Sequence, residues 1–209
     1  MTMVDTKAIY TIGHSNHRIK DFINLLKKHG ITAVADVRSS PFSKHNPQFN
    51  REVFADALKQ EDIAYVFLGK ELGARPDDPC CYDNGSANFE KMAERPIFKQ
   101  GIERLLKGME QYRIALLCAE KEPLDCHRTI LVCRHLRILG FPIKHILADG
   151  SVEDHQVTEH RLIKMLGLEP VLFDTTCTDA DRIEKAYNQQ AREIAYKRES
   201  EEKNHEYAR

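Results

Sequence analysis

Residues 113–147 of the chain are RIALLCAEKEPLDCHRTILVCRHLRILGFPIKHIL. This stretch predicts a strand, a loop, a helix and a second strand. Residues 113–117 are nearly all apolar, which is typical of a strand covered on both faces. The helix is expected over 126–139 with Gly140 ending it, and the second strand lies within 141–147. A strand–helix–strand unit of this kind indicates parallel strands joined by a crossover helix.

The same alternation extends toward the N-terminus. Strands are predicted over 7–12, 31–37 and 63–68, because these runs are short, apolar and rich in β-forming residues. Helical spacing of apolar residues separates them and continues beyond the quoted stretch, around 19–26, 53–58, 96–109 and 162–166. Residues 69–88 carry many turn signals and predict a long irregular loop. The pattern predicts a single α/β domain over 1–172, with a mostly parallel sheet flanked by helices.

The last part of the chain, residues 173–209, has a different composition. Apolar residues become rare and charged residues dominate, so we expect a charged tail that is helical or disordered. Such a tail has too few apolar side chains for a second core. Contact with a partner subunit, and hence a homo-oligomer, is one use for it.

Composition narrows the class of protein. The 209 residues include 31 basic and 32 acidic side chains, for a formal charge of -1. This balance argues against a strongly basic DNA-coating protein, although a local basic patch is compatible with it. No run approaches the roughly 18 apolar residues that a membrane helix needs. The first residues lack the apolar core of a signal peptide, so we expect a cytoplasmic protein without membrane contact.

Polar and reactive side chains follow the predicted strands. In open α/β sheets, ligands bind beyond the carboxyl ends of the strands. The first strand is followed by His14, Ser15 and Asn16, and the second by Arg38, Ser43 and Lys44. The strand at 113–117 is followed by Cys118 and Glu120, and the next helix opens with Cys126, His127 and Arg128. The sequence therefore predicts a cleft at this edge of the sheet.

Cys126 is the leading candidate for a reactive group, and its alternative is a buried, inert cysteine packed under the loop. A helix N-terminus favours a thiolate, and the neighbouring His127 and Arg128 add positive potential. Cys118, at the end of an apolar strand, is either a second reactive thiol or a core residue. The pair lacks the two-residue gap of thioredoxin-like and zinc-ribbon motifs. No cysteine in this region is followed six residues later by arginine, which disfavours phosphatase and rhodanese loops.

The other candidates have roles that follow from their side chains. His14 and Glu120 are acid–base candidates. The alternative for His14 is a loop histidine bonded to nearby backbone, and that for Glu120 is a helper that pairs with a basic neighbour. Arg38, with His127 and Arg128, is a candidate grip for an anion, and its alternative is an ion pair with Asp36 or Glu120. Four smaller or flexible polar residues extend this surface, and the first two of them are also candidate helix caps: Ser15, Asn16, Ser43 and Lys44.

The remaining cysteines are expected to play no part in the cleft. Cys133 is in phase with the buried helix face and is predicted to be a core residue. Cys80 and Cys81 are adjacent in the long loop, a spacing at which two thiols ligate one ion poorly. Cys177 has no partner motif and is interpreted as incidental.

Three functions are compatible with these residues. The first is a cytosolic cysteine-dependent transferase or hydrolase that acts on an anionic substrate such as a nucleotide or nucleic acid. The second is a zinc- or iron-binding protein that uses cysteine and histidine ligands, with Cys118, Cys126, His127 or His14 as candidates. The third is a non-catalytic nucleotide or nucleic-acid binding module based on Arg38, Lys44 and Arg128.

The motifs together resemble a known bacterial family, domain-of-unknown-function family 488. The resemblance spans roughly residues 8 to 165 and rests on these stretches, which agree in order: Thr11 to Asn16, Asp36 to Arg38 with Pro41, Ser43, Pro47 and Phe49, Leu68-Gly69, Leu72-Gly73, Cys118 to Lys121 and Cys126 to Arg128. Lys44 stands where arginine is expected, and Ala74 where a second glycine often follows. The resemblance implies that the strand-end residues belong to one site. It does not indicate which activity that site has.

Overall fold

The computed structural model describes residues 8–170 and 178–198. Its strands are β1 (Ile9–Gly13), β2 (Ala33–Asp36), β3 (Ala64–Phe67), β4 (Tyr82–Asp83), β5 (Ser86–Ala87), β6 (Ile114–Cys118), β7 (Ile143–Ile146) and β8 (Val152–Asp154). Six of them form one sheet in the order β3-β2-β6-β1-β7-β8. All neighbours in this sheet are parallel except β7 and β8. The predicted α/β fold with a mostly parallel sheet is confirmed.

Helices cover both faces of this sheet. They are α1 (Ile19–Lys28), α2 (Arg51–Lys59), α3 (Gly69–Leu72), α4 (Phe89–Glu94), α5 (Pro96–Met109), α6 (Arg134–Ile138), α7 (His155–Met165) and α8 (Asp179–Ile194). The side chains of β2 alternate between two cores: Val34 packs with α1 and α2, whereas Ala33 and Ala35 pack with the remaining helices. In the described part of the chain, no helix combines the length and apolar character of a membrane span.

Two differences from the sequence-based prediction lie within residues 69–88 and 126–139. The predicted irregular loop over 69–88 contains α3 and the β4–β5 hairpin, whose turn residues Asn84 and Gly85 both have positive φ, as an Asn-Gly type I′ turn requires. The predicted helix over 126–139 begins with a π-helical segment, Arg128–Cys133, and continues as α6. Such segments are rare and often occur at functional sites. Cys133 in this segment is fully buried, as expected of a core residue.

Helix α8 is part of the main core. Its side chains Ala186 and Tyr187 are fully buried in the cluster that also contains the π-helical segment. The Tyr187 hydroxyl donates to Glu159 Oε1 at 2.9 Å, and Gln190 Nε2 donates to the Leu124 carbonyl at 2.9 Å. Most charged side chains of α8 lie on its outer face, although Arg182 is buried. Cys177 and the end of the predicted tail lie outside the described residues.

A chain of buried polar groups fastens α8 to the sheet. Thr11 Oγ1 lies 2.8 Å from His145 Nδ1, and His145 Nε2 lies 2.9 Å from His155 Nδ1. His155 Nε2 in turn lies 2.9 Å from the Tyr187 hydroxyl. Burial lowers the pKa of both imidazoles, that of His155 to about 4, with the nearby Arg137 charge adding to the effect on His155. Both histidines are therefore neutral in the folded protein at neutral pH.

We expect acid to destabilise the protein through these histidines. An unfolded histidine binds its proton near pH 6.5, whereas folded His155 resists it down to about pH 4. The unfolded state therefore holds more protons in this range, and stability falls as the pH drops. His155 alone should lower the free energy of unfolding by about 2 kcal/mol between pH 7 and pH 5. Urea denaturation at both values measures this, and His155→Gln should flatten the dependence while the exposed His160→Gln should not.

Candidate active site

The site lies where the chain path reverses at the centre of the sheet. Strands β1 and β6 are neighbours, but α1 carries the chain from β1 to one side, and the π-helical segment with α6 carries it from β6 to the other. Such a switch point opens a crevice at the carboxyl ends of the strands. The two strand ends stay joined beyond the sheet, because His14 N donates to the Cys118 carbonyl and Ser15 N to the Ala119 carbonyl, each at 2.9 Å.

Four reactive side chains meet at this point. Cys118 Sγ lies 3.5 Å from His127 Nδ1, and Cys126 Sγ lies 3.1 Å from Glu120 Oε2. One sulfur, nitrogen or carboxylate oxygen from each of the four lies within 4.8 Å of the others. Both thiols and the imidazole are buried, whereas Glu120 is exposed. We call these four side chains the thiol cluster.

The orientation of His127 follows from its second nitrogen. Nε2 lies 2.9 Å from the Val37 carbonyl, which can only accept a hydrogen bond. Nε2 therefore carries a proton in the neutral ring, and the lone pair of Nδ1 faces Cys118. This backbone contact from the end of β2 holds the imidazole in one tautomer.

The surroundings shift the pKa values of the two thiols in opposite directions. Burial on its own raises the pKa of both, and it holds the pKa of Cys118 well above the ordinary value, with the neighbouring Cys126 raising it further. For Cys126, the hydrogen bond with Cys118 and the charges of Arg128 and His127 outweigh burial and lower the pKa. Cys126 is therefore the thiol that ionises first.

The pKa values of Glu120 and His127 are also shifted by their neighbours in the cluster. Although Glu120 is exposed as a residue, its carboxylate is partly desolvated against Cys126, which opposes ionisation. Hydrogen bonds from Cys118 and Cys126 outweigh this effect and lower the pKa of the carboxyl. For His127, burial opposes the charged form, and the hydrogen bond and charge of Cys126 outweigh it and raise the pKa. Cys126 and Glu120 thus favour their ionised forms and His127 its protonated form, whereas Cys118 favours its neutral thiol.

Arg128 lies beneath the thiol cluster rather than in the wall of the cleft. Its side chain is fully buried, and Nη1 donates to the Glu120 carbonyl at 2.7 Å. Nη2 donates to the Lys121 carbonyl and Nε to Thr11 Oγ1, each at 3.4 Å. Through these three hydrogen bonds, Arg128 supports the loop after β6 and supplies positive charge. This differs from the substrate-binding role expected from the sequence.

Arg38 is held by a carboxylate at the end of β2. Its Nε and Nη2 donate to the two oxygens of Asp36, at 2.9 and 2.6 Å, and Nη2 also donates to the Phe49 carbonyl. Asp36 is fully buried and also accepts from the Tyr65 hydroxyl at 2.8 Å. The ion pair offered as the alternative reading of Arg38 is therefore present. Nη1 of Arg38 has no hydrogen-bond partner among the described residues.

His14 lies beside this ion pair in a fixed position. Its ring stacks on Phe49 with 4.4 Å between ring centres, and Nδ1 donates to the Ser15 carbonyl at 2.8 Å. Burial, together with the charge of Arg38, lowers the pKa of His14 to about 4. At neutral pH its Nε2 is consequently an acceptor.

These residues surround a cleft of about 740 Å³. Most residues predicted from the sequence line it: His14, Ser15, Asn16, Arg38, Ser43, Cys118, Glu120 and His127. The predicted residues Lys44, Cys126 and Arg128 do not. Both thiols are buried, but Cys118 lines the cleft whereas Cys126 lies behind Glu120 and does not.

The structure adds wall residues that the sequence did not indicate. Phe42 lines the cleft with 66% of its surface exposed. Arg75 and Tyr196 line it too, and the Arg75 guanidinium lies 4.5 Å from the centre of the Tyr196 ring. Arg75 lies two residues after the Leu72-Gly73 motif, and this position beside a family motif is the signal that could have identified it. Tyr196 follows α8 in a charged region and had no local signal.

Comparison with known proteins places these observations in a family. The family model described as "Domain of unknown function DUF488" matches residues 18–134, more than half of the chain. No curated protein and no solved structure matches the chain. The matched range contains Arg38 and the whole thiol cluster, but not the His14 segment. The chain belongs to the domain-of-unknown-function family 488.

Proposed function

We propose that the protein is a cysteine-dependent hydrolase or transferase that acts on an anionic substrate in the cleft. One observation carries the proposal: two thiols, an imidazole and a carboxylate meet within 4.8 Å at the switch point of the sheet. Nucleophilic and acid–base groups seldom gather in this way for packing alone. Cys118 and Glu120 face the substrate, and the lone pair of His127 Nδ1, 3.5 Å from Cys118 Sγ, is placed to accept the proton of this thiol.

The opposite wall of the cleft favours a phosphate-bearing substrate. Arg38 presents Nη1, and Arg75 presents an exposed guanidinium, a group that suits phosphate oxygens. Hydroxyl groups of the β2 loop extend this wall: Ser39, Ser40 and Ser43. The exposed ring of Phe42 at the same wall offers a stacking surface for a base. A nucleotide or a short nucleic-acid segment carries both features.

The first test separates substrate binding from binding elsewhere. We expect mononucleotides or short single-stranded oligonucleotides to raise the melting temperature of the wild-type protein. Phe42→Ala should weaken nucleotide binding by about 10-fold, since stacking on an aromatic ring contributes about 1–3 kcal/mol per base. Arg75→Ala should weaken it as well. The matched controls are Tyr112→Ala and Arg113→Ala, because these residues lie at the opposite end of β6. Equal effects of both pairs would contradict the cleft as the binding site.

The second test concerns the thiols. The nucleotides that bind in the first test are incubated with the protein, and the products are separated chromatographically. Conversion by the wild type that disappears in Cys118→Ser, with binding retained, supports a thiol-dependent enzyme. Cys80→Ser, an exposed thiol outside the cluster, is the control. Binding without conversion by any variant would instead favour a non-catalytic binding module.

A further inference from the structure

The thiol cluster has the composition and spacing of a transition-metal site. Its members are Cys118, Glu120, Cys126 and His127, and in the described part of the chain they form the one group of this kind. Around a tetrahedral zinc ion, with bonds of about 2.0–2.3 Å, neighbouring ligand atoms are about 3.5 Å apart. The observed contacts of 3.5 Å between Cys118 and His127 and 3.1 Å between Cys126 and Glu120 are close to that spacing.

The support around His127 is that of a metal ligand. A histidine that binds a metal usually donates its other ring N–H to a backbone carbonyl or carboxylate, which fixes the tautomer. Here Nε2 donates to the Val37 carbonyl, and Nδ1 turns its lone pair toward the two sulfurs. The imidazole is thus already oriented for coordination through Nδ1.

The charges around the cluster are compatible with a divalent ion. Cys126 Sγ and Glu120 Oε2 are both anionic when ionised, so a contact of 3.1 Å needs a proton or a cation between them. The fully buried guanidinium of Arg128 lies directly beneath, and the Arg128 backbone N–H donates to Cys126 Sγ at 3.4 Å. Two thiolates, one carboxylate, this guanidinium and a divalent cation sum to a neutral site.

We propose that Cys118, Cys126 and His127 bind one zinc ion, with Glu120 facing the ion from the cleft. Thiolate and imidazole ligands suit zinc, whereas hard cations such as magnesium prefer oxygen ligands. This inference rests on the same cluster as the proposed enzyme, and it makes the two thiols ligands rather than attacking groups. Three protein ligands beside a substrate cleft are the usual number for a catalytic zinc ion.

The test uses the full chain and measures the metal directly. Purified protein is stripped with a chelator, reloaded with Zn²⁺ or Co²⁺, dialysed and analysed by elemental mass spectrometry. We expect one ion per chain, and in the cobalt form a thiolate-to-metal charge-transfer band. Cys126→Ser and Cys118→Ser should each lower zinc affinity more than about 100-fold, since even losses in the outer shell cost 10- to 100-fold. Cys80→Ser should leave both readouts unchanged.

Because a buried cysteine variant could misfold, Glu120→Gln provides a second probe at an exposed position. It should fold, retain the charge-transfer band and bind zinc more weakly than the wild type. Protection of Cys118 and Cys126 from alkylation by added zinc supports the proposal in the unmodified protein. Equal alkylation with and without zinc, or zinc bound equally well by wild type and Cys126→Ser, would overturn it. Iron in place of zinc would support the site and overturn the choice of metal.

The outcomes separate this inference from the proposed function. Thiol-dependent conversion of a nucleotide by metal-free protein would overturn the zinc site and leave the enzyme intact. Stoichiometric zinc bound by Cys118 and Cys126, without any conversion, would support the site and count against the enzyme.

Discussion

Replacing Asp36 by alanine is expected to lower the free energy of unfolding by about 3–5 kcal/mol, because it breaks a buried ion pair by removing one partner. Arg38 is only 6% exposed, and Asp36 accepts from its Nε and Nη2 and from the Tyr65 hydroxyl. Without the carboxylate, the buried guanidinium keeps only the Phe49 carbonyl, and the half-buried Tyr65 hydroxyl loses its acceptor. Urea denaturation followed by far-ultraviolet circular dichroism measures the loss.

Two further variants identify the cause. Tyr65→Phe removes one hydrogen bond and should cost about 1 kcal/mol. Combining Asp36→Ala with Arg38→Met removes both charges, and the double variant should recover much of the lost stability, since apolar replacement of a buried pair is often nearly neutral. A double variant as unstable as Asp36→Ala would show that cavity formation, rather than the unpaired charge, dominates. Nucleotide binding should be lost in Asp36→Ala, because Arg38 no longer faces the cleft in its fixed position. It should also be lost in the double variant, because Arg38 itself is replaced.

Replacing Gly13 by alanine is expected to destabilise the protein by about 3 kcal/mol, the upper end of the usual cost of overpacking, and to displace the loop after β6. A Cβ atom at this position would lie 1.8 Å from the Glu120 carbonyl oxygen and 3.2 Å from Arg128 Nη1. The obstacle is backbone, which cannot rotate away as a flexible side chain can, so the strand end itself must move. The Arg128–Glu120 hydrogen bond of 2.7 Å breaks with it.

The control for this variant is Gly108→Ala in α5. There a Cβ would meet only the terminal carbon of Ile114 at 3.0 Å, and alanine is the better helix former. We expect a change within about 1 kcal/mol of zero. Thermal unfolding and the alkylation rate of Cys118 report stability and loop position separately. A Gly13→Ala protein with wild-type stability and reactivity would contradict the tight approach of β1 to this loop.

The sequence alone determined the sheet and the location of the site. Apolar runs of strand length alternating with helical spacing predicted parallel strands, because each period follows from local backbone geometry. The rule that ligands bind at the carboxyl ends of such strands then selected His14, Arg38, Cys118 and Glu120 as neighbours. All four line one cleft. Short elements such as β8 escaped detection, since three residues are too few to show a period.

Tertiary structure alone decided which of those residues face the cleft and which are buried behind it. Cys118 faces the cleft while Cys126 lies behind Glu120, and Arg128 is buried under both, although all are close in the chain. Tyr196 reaches the cleft from beyond a charged helix, whose inner face joins the main core. Local pattern reports the average burial of a segment. It carries no information on which distant segment covers a given side chain, because that depends on how elements separated by tens of residues pack together.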